Sequence, residues 1–137
     1  MNAHNQIQEI VKQYAQSVNE LDLTKAKSLW LDATGVSFIH PRGHENGLEQ
    51  IIHSFYQKTM GRFSKRELTP YDVNVTIIGD TALVVFYWKF NAIFANDNSP
   101  LQTEGRETQV MTRTSEGWKL LHIHYSGLPV NGEREGF

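Results

Sequence analysis

Apolar residues recur every three or four positions near the start of the chain: Ile7, Ile10, Val11, Tyr14, Ala15, Val18 and Leu21. Polar residues fill the other face, so the spacing predicts an amphipathic helix over residues 4–20. Asp22 reads as the N-cap of a second helix that carries Leu23, Ala26, Leu29 and Trp30 on one face. A short apolar run over residues 36–39 reads as a strand and stops at Pro41, inside a His40-Pro41-Arg42-Gly43 turn. Leu48, Ile51, Ile52, Phe55 and Tyr56 then mark a third helix that ends near Gly61.

From there the period changes to two. Val73, Val75 and Ile77 alternate with polar residues, and Gly79-Asp80 makes a turn. Residues 81–95 read as one long strand, rich in β-branched and aromatic types. Its even positions, Ala82, Val84, Phe86, Trp88 and Phe90, should face the interior. Asn96-Asp97-Asn98-Ser99-Pro100 is a loop, a strand runs from about 102 to 113, and Ser115-Glu116-Gly117 turns into a last strand over 118–126. By strict alternation that strand turns Trp118, Leu120, His122 and His124 to one face, the sheet's outer one.

Helices first and antiparallel strands after define an α+β domain. Three N-terminal helices covering a long, twisted, curved sheet leave a cone-shaped hollow between the layers. No linker or repeat divides residues 1–137, so the expectation is a single domain, with a core over about 5–130 and a loose polar tail over 131–137.

Composition narrows the function classes. Thirteen basic and 15 acidic side chains give a net charge of −2 with no basic stripe, which argues against nucleic acid as a partner. The absence of cysteine excludes disulfides, thiolate zinc sites and a cysteine nucleophile. The N-terminus carries no signal-peptide pattern and no apolar stretch is long enough to span a bilayer as a helix. The expectation is therefore a cytoplasmic protein without a membrane partner. No motif calls for a cofactor.

The stretches IGDTALVVFY, GRETQVMTR and GWKLLHIHYSGLP resemble the association (hub) domain of calcium/calmodulin-dependent protein kinase II. EIVKQY, the Asp22-led helix and NGLEQ fit the same layout, and the resemblance runs from about residue 5 to 130. The chain thus resembles the nuclear transport factor 2-like (SnoaL-like) superfamily, which also includes ketosteroid isomerase. The resemblance implies a pocket between helices and sheet. The hub family holds carboxylates there with arginines, whose places are taken here by Trp88, Gln109 and Tyr125. The likeness to ketosteroid isomerase implies an oxyanion-stabilising role for Tyr14 on the first helix and for Gln109, at the place of that family's strand acid. His40 stands where its proton-moving carboxylate would be, allowing one inserted residue.

Tyr14, His40 and Gln109 are thus the candidate catalytic set: His as base, Tyr and Gln as donors to a developing enolate oxygen. The plainer reading has Tyr14 and Gln109 satisfying one another and His40 capping the turn. Trp30, Phe38, Phe55, Phe86, Trp88, Glu107 and Tyr125 are the candidate ligand-binding residues, since an apolar hollow with few polar groups is the usual small-molecule site. They can equally fill the cone as core. Glu107 shares the inner side with Gln109 by alternation, as an interior acid or as the partner of a rim cation, while Arg106 faces the other way. Arg42, His44 and Glu45 fall in a loop with two readings, a border of the pocket mouth or, more simply, a solvated turn. His122 and His124 share a face but lack obvious further ligands, so no metal site is assigned.

Three functions compete. The first is a domain that binds a small, largely apolar organic molecule. The second is a cofactor-free isomerase, cyclase or dehydratase. The third is a hub-like assembly module. A homodimer formed through the outer sheet face is compatible with all three.

Overall fold

The computed structural model describes residues 2–133. Helix α1 spans Ala3–Glu20. Asn2 caps its start, accepting from the Asn5 N–H, and Leu21 in the left-handed region ends it. Asp22 caps α2 (Leu23–Leu29) by accepting from the Lys25 N–H at 3.0 Å. Strands β1 (Ser37–His40) and β2 (Gly43–Asn46) form a hairpin. Helix α3 (Leu48–Gln50) continues as a π-helix over Ile51–Thr59 and a 3-10 turn over Met60–Arg62. Four long strands follow: β3 (Phe63–Ile78), β4 (Thr81–Phe94), β5 (Pro100–Thr114) and β6 (Gly117–Gly127).

The six strands make one sheet in the order β2-β1-β6-β5-β4-β3, antiparallel except where β1 runs parallel to β6. The α+β expectation therefore holds, with two refinements. The sequence reading places a solvated turn at residues 42–45. Instead Gly43–Asn46 is paired strand, because the buried Glu45 side chain meets His40 across the hairpin. The sequence reading also starts the first long strand at about Val73, some ten residues late. Its first half, SKRELTPYD, is polar because β3 is an edge strand, paired on one side alone, where Pro70 is tolerated.

Alternation on β4 is as expected: Ala82, Val84, Phe86, Trp88 and Phe90 are buried. On β6 strict alternation fails. Val110 pairs with His122 and Met111 with Leu120, so Leu121 is an extra residue, a β-bulge. The bulge reverses the phase. Trp118 and Leu120 are buried in the core together with Ile123, whereas His122 is half-buried and His124 is exposed. The outer-face grouping of Trp118, Leu120, His122 and His124 is thus corrected: the two histidines do not share a face with the two apolar residues. The outer face draws its apolar surface from β4, where Leu83, Val85 and Tyr87 are exposed.

Two further register shifts bend β3, at Phe63/Lys65 and Tyr71/Asn74. Curvature opens the sheet toward the helices. Ile7, Val11, Tyr14 and Val18 of α1 join Phe38, Phe55 and the inner residues of β4 to β6 in one apolar cluster. Two polar ties fix α1 to β3: the Arg66 Nε–H donates to the Val18 carbonyl, and the Leu68 N–H donates to Asn19 Oδ1. Among the described residues no helix is long and apolar enough to cross a membrane. The expected loose polar tail falls partly on residues 134–137, which lie outside the described residues.

Candidate functional site

The inner face of the sheet contributes Trp88 from β4, Glu107 from β5 and Tyr125 from β6, and α1 contributes Tyr14. The π-helix adds Phe55 and Thr59. Such wide turns are rare and are often found where function requires them. Here the Thr59 hydroxyl returns to the Ser54 carbonyl at 2.7 Å. Together these residues enclose a cavity of about 310 Å³. That lies at the small end of ligand pockets, roughly 300–1,000 Å³. Val18, Met60, Phe63, Leu68, Phe90 and Leu101 make most of the remaining wall apolar.

Depth can be read from burial. Tyr14, Phe55 and Glu107 are buried and form the floor, whereas Arg42, Thr103, Glu104 and Gly127 are exposed and form the mouth. Trp88 lies flat against its cross-strand partner Gly105, where a Cβ would overlap the indole ring and the Ser126 carbonyl. Glycine at 105 is therefore what lets Trp88 line the wall.

Glu107 is the unusual group. Burial without a cation pushes its carboxyl up to about 8, against the 4.5 of an ordinary glutamate. The Gln109 amide donates to Glu107 Oε2 at 2.7 Å and pulls the other way, but burial dominates. At neutral pH the floor therefore carries a neutral carboxylic acid. Among the described residues, neither Tyr14 nor Tyr125 spends its hydroxyl on a protein partner. Burial, and then the proximity of Glu107, raise both phenols, so both stay protonated. Three neutral O–H groups thus converge on one apolar space.

His40 does not join them. It is buried among Phe38, Phe55 and Tyr125, with the Tyr125 ring stacked at 6.2 Å. Its Nδ1 accepts from the Arg42 N–H at 3.3 Å, so Nε2 carries the hydrogen and donates to Glu45 Oε2 at 2.5 Å. His40 spends both nitrogens holding the β1–β2 hairpin, and it does not line the cavity.

Of the residues singled out from the sequence, Tyr14, Phe55, Trp88, Glu107 and Tyr125 meet at the cavity. Trp30, Phe38 and Phe86 pack beneath it as core, with Trp30 stacked on Phe38 at 5.9 Å. Gln109 is fully buried behind the floor and serves Glu107 rather than Tyr14. Sequence reasoning passed over Arg62, Leu68 and Thr103, and set Arg42 aside as solvated. Arg62 ends an irregular helix and Leu68 belongs to the unrecognised half of β3, so neither carried a periodic signal.

This architecture, a cone of helices and curved sheet closed over one internal acid, defines a class of pocket-bearing α+β domains. The chain belongs to the SnoaL-like domain family, whose model matches residues 7–131. A nuclear transport factor 2 (NTF2-like) superfamily protein from Salmonella enterica serovar Typhimurium is 38% identical, with a TM-score of 0.94 over 97% of this chain and 96% of that one. A candidate dehydratase of the NTF2-like family from Streptomyces avermitilis is 25% identical, with a TM-score of 0.84 over 93% and 98%. The calcium/calmodulin-dependent protein kinase II hub of S. rosetta shares the fold at 23% identity, with a TM-score of 0.73 over 90% and 95%. No curated protein matches the chain.

Proposed function

We propose that this domain binds a small, largely apolar organic molecule carrying a carbonyl or hydroxyl oxygen. The observation that carries the reading is the uncharged Glu107 at the floor of an apolar cavity of about 310 Å³. A neutral acid and two phenols can donate to a ligand oxygen, and apolar walls favour the rest of the molecule. Ligand-observed NMR with 4-phenylbutan-2-one and butylbenzene tests this. The ketone should bind measurably better than the hydrocarbon, and Leu101→Trp, which fills the cavity, should abolish both. Equal binding of the two, or binding that survives Leu101→Trp, contradicts the reading.

The second reading is a cofactor-free acid–base enzyme of isomerase or dehydratase type. It is favoured by the same carboxyl, because a group ionising at about 8 can both give and take a proton near neutral pH. The likeness to a candidate dehydratase at 25% identity supports it. Glu107 replaces His40 as the proton-moving group in this version, with Tyr14 and Tyr125 as donors to the oxygen. Proton NMR in D2O can follow loss of the α-proton signals of 4-phenylbutan-2-one. The wild-type chain should accelerate exchange and Glu107→Gln should not; matching rates would discard this reading.

We also propose that the chain pairs with itself through the outer sheet face. Leu83, Val85 and Tyr87 lie side by side there, 45, 41 and 39% exposed.

A further inference from the structure

Two cations and one anion stand at the mouth of the cavity. Arg42 follows the hairpin turn and is exposed; Arg62 closes the third helical segment and is half-buried. Arg62 is held in place: its Nε–H donates to the Thr59 carbonyl at 2.9 Å, and its guanidinium lies 5.1 Å from the Phe63 ring centroid. Its pKa is lowered, first by burial and then by the neighbouring charge of Arg42. Two guanidiniums at one rim of one cavity favour an anion between them. Among the described residues neither forms an ion pair: Glu45 takes a hydrogen bond from His40, and Asp80 pairs with Arg113. Glu104 also borders the cavity. The mouth therefore carries two positive charges against one negative, above a floor whose acid is neutral.

Resting on the pocket reading, we infer that the natural ligand is an amphiphilic monocarboxylate: its anionic head lies between Arg42 and Arg62, its apolar body fills the cavity, and a carbonyl or hydroxyl oxygen reaches Glu107. The net single positive charge at the rim matches one carboxylate, and Glu104 penalises a more highly charged head. Guanidinium groups suit a planar carboxylate because they can offer two parallel N–H donors. Phe63 and Phe94 fix Arg62 from behind, so little of its side-chain freedom remains to be lost on binding. The division of labour differs from an arginine set inside the cup, where Trp88, Gln109 and Tyr125 now stand.

The test compares 4-phenylbutyrate with 4-phenylbutanamide, of equal size but uncharged, by isothermal titration on the intact chain. The carboxylate should bind roughly tenfold tighter than the amide, the scale of two partly exposed charge pairs. The double variant Arg42→Gln/Arg62→Gln should lose that preference, and a thermal melt as cooperative as the parent's reports that it is still folded. Equal affinities in the wild-type chain, or a preference that survives the double variant, would overturn the inference and leave the pocket reading standing. Binding of neither probe would overturn both.

Discussion

At the scale of single residues, Glu107 makes the clearest demand. In the folded chain it ionises at about 8 and in an unfolded chain near 4.5. Below the lower value both states hold the proton, and the buried acid costs nothing through ionisation. Between the two values only the folded state holds it, so stability falls as pH rises. Above the upper value the folded chain carries a buried charge and the penalty is complete. Glu107→Gln, which keeps the shape and a hydrogen bond to Gln109, should match the parent near pH 4. It should exceed the parent by on the order of 4 kcal/mol near pH 9, as read from urea melts. Gly105→Ala should act oppositely at all pH values. Its methyl meets the Trp88 ring and the Ser126 carbonyl, so a loss of about 1–3 kcal/mol is expected, with a shift in tryptophan fluorescence as the indole is pushed off its seat. Glu107 was visible in the sequence as an acid on the inner side of a strand. Its lack of a cation was not, because partners across a cup are separated by many residues in sequence.

At the scale of elements, periodicity decided what could be foreseen. Helix α1, the Asp22 cap and the even face of β4 each follow from local spacing and capping chemistry, and each is present. Asp22→Ala should cost about 1 kcal/mol, since α2 has seven residues and one side-chain cap. What local spacing does not encode is an inserted residue. Leu121 reverses the phase of β6, sending Trp118 and Leu120 inward on one side of the bulge and Ile123 inward on the other. Deleting Leu121 closes the bulge and leaves Trp118, Leu120, Ile123 and Tyr125 alternating inward with Lys119, His122 and His124 outward, so the deletion should be tolerated at the cost of the local twist that the bulge supplies. Circular dichroism of the deletion variant should show a cooperative melt at a lower midpoint; loss of the cooperative melt would contradict the reading of Leu121 as the extra residue. The first half of β3 escaped for a different reason: Ser64, Lys65, Arg66 and Glu67 are all polar, and the register shifts at Phe63/Lys65 and Tyr71/Asn74 break the phase, so no apolar alternation was there to detect. The candidate trio divides the same way. Tyr14 lay on a regular helix and reached the cavity. His40 lay beside a turn, where the direction of a side chain depends on the hairpin it closes.

At the scale of the whole molecule, the sheet separates two tasks. Its concave side encloses the cup with Glu107, and its convex side exposes Leu83, Val85 and Tyr87, the surface proposed above to meet a second copy. Leu83→Arg/Val85→Arg should therefore yield a folded monomer by sedimentation, with the affinity for 4-phenylbutan-2-one retained. A parent chain that is itself monomeric would remove the dimer from the account but leave the cup untouched. The cup stands or falls on the charge state of its floor, and that can be read directly. The chain labelled with carbon-13 at its glutamate carboxyls, with Glu107→Gln to assign the signal, gives the titration of this one group. The account expects a midpoint of about 8. A midpoint near the ordinary 4.5 would mean a solvated or paired carboxylate, and would contradict the account.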